Sequence, residues 1–167
     1  MHKTGAIVLV GPMGVGKTTI GKKLAKKLAV DFIDTDVLIA RLHGDIPTIF
    51  ANFGEVKFRE FEEECVLEAI SAPAVVATGG GAVLSEHTRA AFSEAKVVYL
   101  ATDGKHMASR LAGGNRPLLK DGLSDWRRIY ESRRHLYEQV ADLTIDTSGK
   151  PLKKLVEEIA QGLEKIV

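Results

Sequence analysis

The chain has 167 residues, enough for one well-buried domain and too few for a (β/α)₈ barrel or two ordinary domains. With 45% hydrophobic and 27% charged residues, it has the composition of a folded globular protein rather than a disordered or membrane-embedded one. Lys plus Arg number 23 against 22 Asp plus Glu, a net charge of +1, so no overall field draws the chain toward nucleic acid or anionic lipid.

Apolar, β-rich runs bounded by turn residues predict strands at 6–10, 74–77, 97–100 and 143–145, with a shorter one at 32–33. Helical periodicity predicts helices over 16–28, 37–42, 46–53, 56–70, 86–93, 105–111, 125–140 and 152–166. Strand and helix alternate throughout, which predicts a single three-layer α/β domain over 1–167, with a parallel sheet covered on both faces. Ligands of such a sheet gather at the carboxyl ends of its strands. The segment 113–124, GGNRPLLKDGLS, has no apolar period and reads as a surface loop or a mobile lid. Charge is unevenly spread. Residues 31–64 hold nine acids and three bases, while 109–134 hold seven bases and three acids, which predicts two faces of opposite sign unless the segments neutralise each other.

The only cysteine, Cys65, excludes an internal disulfide and a multi-cysteine metal site and fits a reducing cytoplasm. It follows Glu62, Glu63 and Glu64, which disfavour a thiolate, so it is expected to pack in a core. The N-terminus lacks the long apolar region of a secretory signal, and the uncharged stretch 69–85 is broken by Pro73 and three glycines. A cytoplasmic location without a membrane segment is the expectation. The five histidines show no metal-ligand spacing.

Directly after the first strand stands Gly11-Pro12-Met13-Gly14-Val15-Gly16-Lys17-Thr18, which satisfies G-x-x-x-x-G-K-[ST] and opens a helix. Glycines let consecutive backbone N–H groups curl around phosphate oxygens, Lys17 adds a point charge at the β/γ-phosphates, and Thr18 offers a hydroxyl to Mg²⁺. Nucleoside triphosphate binding follows. Asp34-Thr35-Asp36 ends the second strand. These short polar residues either cap the next helix or divide two tasks: Asp34 holding Mg²⁺, Asp36 taking a hydrogen bond from the acceptor hydroxyl.

The runs GPMGVGKTTIGKKLAKKL, FIDTD, IFANFGEVKFREFE and TGGGAVL, in this order and spacing, resemble the shikimate kinases across essentially the whole chain. The resemblance implies a nucleoside-monophosphate-kinase-like sheet of five parallel strands in the order 2-3-1-4-5, and transfer of the ATP γ-phosphate to the 3-hydroxyl of shikimate, a step of chorismate and aromatic amino acid biosynthesis. It implies nucleotide contacts from Gly14, Val15, Gly16, Lys17, Thr18 and Thr19, with Arg110, Lys150 and Pro151 toward the adenine. It further implies that Arg59 binds the shikimate carboxylate with Glu62 orienting it, and that Arg133, four residues before Tyr137, is the second carboxylate ligand. Asn115-Arg116-Pro117-Leu118-Leu119 resembles the family lid, which makes Arg116 a candidate cis arginine finger. The acceptor-binding segment then spans about 35–64, the lid about 112–124, and a monomer is expected.

Physically, a small anionic polyol needs cations for its carboxylate, hydrogen-bonding groups for its hydroxyls and a partly apolar wall. Arg59 suits the carboxylate through its planar fork. Gly79, Gly80 and Gly81 follow the third strand, where glycine permits close approach of the backbone to a ligand. Phe50 and Phe58 read equally as core or as pocket wall. Competing readings are a gluconate-type kinase, a nucleoside monophosphate kinase, which the paired carboxylates disfavour, and a nucleotide-binding module without turnover.

Overall fold

The computed structural model describes residues 4–111 and 117–166. Five parallel strands, β1 (Ile7–Val10), β2 (Asp31–Asp34), β3 (Ala74–Ala77), β4 (Lys96–Ala101) and β5 (Leu143–Asp146), form one sheet in the order β2-β3-β1-β4-β5. The central strand β1 lies between β3 and β4, with Val8 opposite both Val76 and Val97. Every residue of β3 is buried, while the edge strands β2 and β5 are only partly so. That gradient matches the sequence, where continuous apolar runs mark strands covered on both faces.

Because side chains alternate across a strand, β1 feeds two cores. Val8 and Val10 join Val76, Val97 and Tyr99 in a cluster that includes Val66, Trp126 and Tyr137. Leu9, with Val75, Val98 and Leu100, joins Leu24 and Ile159 on the opposite face. Truncating the fully buried Leu9 to Ala would cost about 2–5 kcal/mol. The helices that supply these contacts are α1 (Lys17–Leu28) and α7 (Leu152–Glu164) on one face, α3 (Ile46–Ala69) and α6 (Leu123–Val140) on the other. Helices α2 (Thr35–His43), α4 (Glu86–Ala91) and α5 (Met107–Leu111) complete the set. A third, smaller cluster of Ile39, Ile49, Phe58 and Cys65 packs α2 against α3. Burial pushes the Cys65 thiol up, and Glu64, Glu68 and Glu62 push it further.

The predicted helices 46–53 and 56–70 meet without a loop. They form the single element α3, interrupted at Gly54, whose φ of 81° and ψ of 175° are non-helical. A side chain there would be strained by the positive φ. The predicted helix 86–93 is shorter, ending in a 3₁₀ turn at Phe92–Glu94, and α6 starts two residues earlier than its apolar period suggested. Of the segment 113–124, the described part turns at 117–118 and 120–122 and has entered α6 by Leu123. No helix among the described residues is long and apolar enough to cross a membrane.

Candidate active site

All five strands run the same way, so the loops after β1, β2, β3 and β5 meet at one edge of the sheet. Two clefts open there. The first, about 550 Å³, is lined by the loop after β1, by Asp34 and Asp36 and by Arg110, Thr147 and Lys150. The second, about 340 Å³, is lined by Arg59, Glu62, Arg133, Phe50 and Phe58 and the triple-glycine turn. Met13, Asp36, Gly79 and Gly80 line both, so the two clefts meet at Asp36.

The phosphate loop is local in construction. Gly11, Gly14 and Gly16 have φ values of 150°, 78° and 105°, and α1 begins at Lys17 with no side-chain cap. Its first-turn N–H groups, which have no intrahelical partner, face the loop and form an anion-binding end. Lys17 is buried, its Nζ donating to the carbonyls of Gly11 at 2.6 Å and Pro12 at 2.9 Å. Thr18 Oγ1 donates to Asp34 Oδ2 at 2.6 Å. Asp34 Oδ1 also accepts from the backbone N–H of Asp36 at 2.9 Å and of Val37 at 3.3 Å. The two readings of this aspartate are therefore compatible: one oxygen caps α2 while the other faces Thr18.

The second cleft is built from charged side chains. Arg59 donates to Glu62 Oε1 at 2.6 Å and to Glu55 Oε2 at 3.3 Å, and lies 5.1 Å from the Phe58 ring centroid. Glu62 is 3% exposed and Arg133 6%. Burial raises the Glu62 pKa, opposed by the Arg59 guanidinium beside it. Burial likewise disfavours the Arg133 cation. Asp36, Asp45, Glu62 and Arg59 of the acidic segment and Arg133 of the basic one line this single cleft, so charges of both signs meet there, with two guanidinium groups on its wall. Phe58 belongs to the third core cluster and lines this cleft, with Phe50 packed against it at 4.8 Å between ring centroids. Core and wall are the same face here.

Two of the three glycines in the turn after β3 have a steric reason within the site itself. A Cβ at Gly79 would lie 2.9 Å from Glu62 Oε2 and 3.0 Å from Asp36 Oδ1, and one at Gly81 would lie 2.5 Å from Arg59 Cζ. The absent side chains make room for the pocket's own charged groups. Among the other predicted residues, Val15 and Thr19 line the first cleft. Arg110 is tied to the loop itself, donating to the carbonyls of Gly14 at 3.1 Å and Val15 at 3.4 Å. Lys150 lines the first cleft and pairs with Glu158 at 3.1 Å. Pro151 caps α7 and is not among the residues lining that cleft. Arg116 lies outside the described residues.

Two contacts were missed in the sequence. Trp126 Nε1 donates to the Met13 carbonyl at 2.8 Å, and the Tyr137 hydroxyl donates to the Gly80 carbonyl at 2.5 Å. Trp126, Tyr130, Arg133 and Tyr137 form the buried stripe of α6. An arginine at helical spacing within an aromatic stripe was a readable signal of a buried cation. Arg134, one residue off the stripe, pairs with Glu131 at 3.0 Å instead.

The family profile described as shikimate kinase matches residues 13–164. A shikimate kinase of Streptomyces coelicolor is 41% identical over 162 residues, 95% of this chain and 95% of its own length. Among solved structures, the shikimate kinase of Acinetobacter baumannii in complex with shikimate reaches a TM-score of 0.92 at 38% identity, over 98% of this chain and 96% of that one. A gluconokinase of Sinorhizobium meliloti 1021 reaches 0.68 at 21% identity, over 99% and 94% of the two chains; this likeness is one of fold alone. Sheet order, phosphate loop and near full-length identity agree, and the chain belongs to the shikimate kinase family.

Proposed function

We propose that the chain transfers the γ-phosphate of ATP to the 3-hydroxyl of shikimate, giving shikimate 3-phosphate and ADP, within aromatic amino acid biosynthesis. One observation carries the reading: the cleft beside the glycine-lysine loop and a pocket lined by Arg59 and Arg133 share one carboxylate, Asp36. In this reading the α1 N-terminus, the loop amides and Lys17 hold the triphosphate, with Thr19, Arg110, Lys150 and Pro151 toward the rest of the nucleotide. Arg59 and Arg133 hold the shikimate carboxylate, Gly79, Gly80 and Gly81 shape the floor, and Phe50 and Phe58 cover the ring.

Transfer is direct and in line. Asp36 orients the 3-hydroxyl and accepts its proton as the oxygen attacks the γ-phosphorus, while the bond to the β-phosphate oxygen breaks and ADP leaves. Lys17, and Arg116 by its family resemblance, stabilise the charge spread over the transferring oxygens. The Thr18 hydroxyl and the Asp34 carboxylate, 2.6 Å apart beside the loop, are hard oxygen donors that fit Mg²⁺, which keeps most of its shell for phosphates and water. Bound there, Mg²⁺ would neutralise the phosphate charge. Residues 35–64 form the acceptor-binding part of one kinase domain and 112–124 its lid, and the protein works as a cytoplasmic monomer.

ADP release from MgATP, measured with shikimate, gluconate, AMP and CMP in turn, tests the reading. Turnover with shikimate is expected. Activity with gluconate or a nucleotide alone would overturn it, and no activity with any acceptor would indicate a binding module.

A further inference from the structure

Tyr137 is 1% exposed, and its ring packs between Tyr99 and Tyr130, with centroids at 5.3 and 6.2 Å. Its hydroxyl does more than satisfy itself. It donates to the Gly80 carbonyl at 2.5 Å and faces the guanidinium of Arg133, one helical turn earlier on α6, whose Nη1 lies 3.6 Å from where a Gly80 Cβ would stand and which lines the second cleft with that glycine. The polarity of the hydroxyl is forced. A carbonyl only accepts and a guanidinium only donates, so the phenol gives its proton to Gly80 and turns its lone pairs toward Arg133. Burial pushes the Tyr137 pKa up to about 12 against the opposing pull of Arg133, so the donor proton stays in place at neutral pH.

We propose that Tyr137 is a positioning residue for the acceptor carboxylate, its hydroxyl tying the Arg133 guanidinium to the Gly80 carbonyl so that cation and glycine turn hold one fixed relation in the second cleft. The proposal rests on the reading that Arg133 meets the carboxylate of shikimate. A long, flexible side chain must otherwise be ordered when the ligand binds, and each rotamer-rich side chain ordered in this way lowers affinity. The tyrosine prepays that ordering during folding. It also fixes the Gly80–Gly81 peptide plane, since a planar trans peptide that turns its C=O toward Tyr137 turns the Gly81 N–H the opposite way.

The test is Tyr137→Phe in the full-length protein, which keeps the ring contacts and removes only the hydroxyl, assayed with shikimate and with its carboxamide. With shikimate, KM should rise about tenfold, as expected when a buried polar group that orders a binding cation is removed, while the KM for MgATP and kcat stay within about twofold. With the carboxamide, whose neutral carbonyl oxygen accepts a weaker hydrogen bond from Arg133 than a carboxylate does, the rise in KM should be clearly smaller than with shikimate. An unchanged shikimate KM, or an equal loss on both acceptors, would overturn the proposal. Arg133→Lys separates this from failure of the underlying reading: if that variant leaves the shikimate KM unchanged, Arg133 is not the carboxylate ligand. Thermal midpoints of both variants check that the fold persists.

Discussion

The two clefts that meet at Asp36 are built in opposite ways. The phosphate side is made of consecutive residues: three glycines with positive φ, a helix N-terminus and a lysine, all within 11–18. Its binding groups are backbone amides, whose directions are set by local φ and ψ. The acceptor side takes Asp36 from α2, Arg59 and Glu62 from α3, the glycines from the turn after β3 and Arg133 from α6. Its polar groups are side chains held by other side chains and by backbone from distant segments, as Arg59 is by Glu62 and the Gly80 carbonyl by Tyr137. A backbone site needs only its own segment to be folded. A site of paired side chains needs the whole α/β layer in register, and its glycines serve to clear space for those pairs.

The contrast can be broken first at the junction. Asp36→Asn should lower kcat by about 10²–10⁴-fold, the range for loss of a positioned acid or base, with modest changes in either KM; wild-type turnover would remove Asp36 from the mechanism. Next in size, Lys17→Ala should cost about 10²–10³-fold in kcat through lost charge stabilisation. It should also weaken ATP binding while leaving shikimate affinity alone, as calorimetric titration of each ligand would record. If both ligands weaken equally, the two regions are not separable. Gly81→Ala sharpens the steric argument, because its Cβ would fall 2.5 Å from Arg59 Cζ, at the far end of a flexible side chain. The guanidinium should move, raising the shikimate KM roughly tenfold with little change in thermal midpoint.

The smallest effect concerns pH. Burial raises the Glu62 pKa above its ordinary 4.5, so the folded protein binds this proton more tightly than the unfolded chain. Its contribution to stability is full below 4.5 and is lost as pH rises through the raised folded value. Glu62→Gln should therefore gain stability relative to wild type as pH rises from the acid side to neutrality, measured by thermal unfolding. On the acid side, protonated Glu62 no longer holds Arg59 as an ion pair, so the wild-type shikimate KM should rise as pH falls. The Gln variant should lack that limb.

The phosphate loop and Asp34-Thr35-Asp36 were readable because their chemistry depends on neighbours in sequence. The acceptor pocket was readable only in part. Arg59 and Glu62 sit at i and i+3 on a helix, a spacing that the sequence shows but that most often marks an exposed pair. Here Glu62 is buried, so the pair is a wall of the site. Phe50 and Phe58 could not be assigned to core or pocket because the two are one surface in the folded chain. The contacts of Trp126 and Tyr137 join residues 113 and 57 positions apart, beyond any local pattern.

Alternating apolar runs and helical periods, each a property of a few consecutive residues, determined the α/β layers from sequence alone, and the glycine-lysine loop determined a nucleotide site. Family resemblance supplied the acceptor. Only the tertiary structure decided which face of α6 is buried against the glycine turn, why Gly79 and Gly81 have no side chains, and that Arg133 lines the second cleft. The physical reason is that hydrogen-bond direction and burial depend on atoms brought together from distant segments, and neither is defined until the strands are in register.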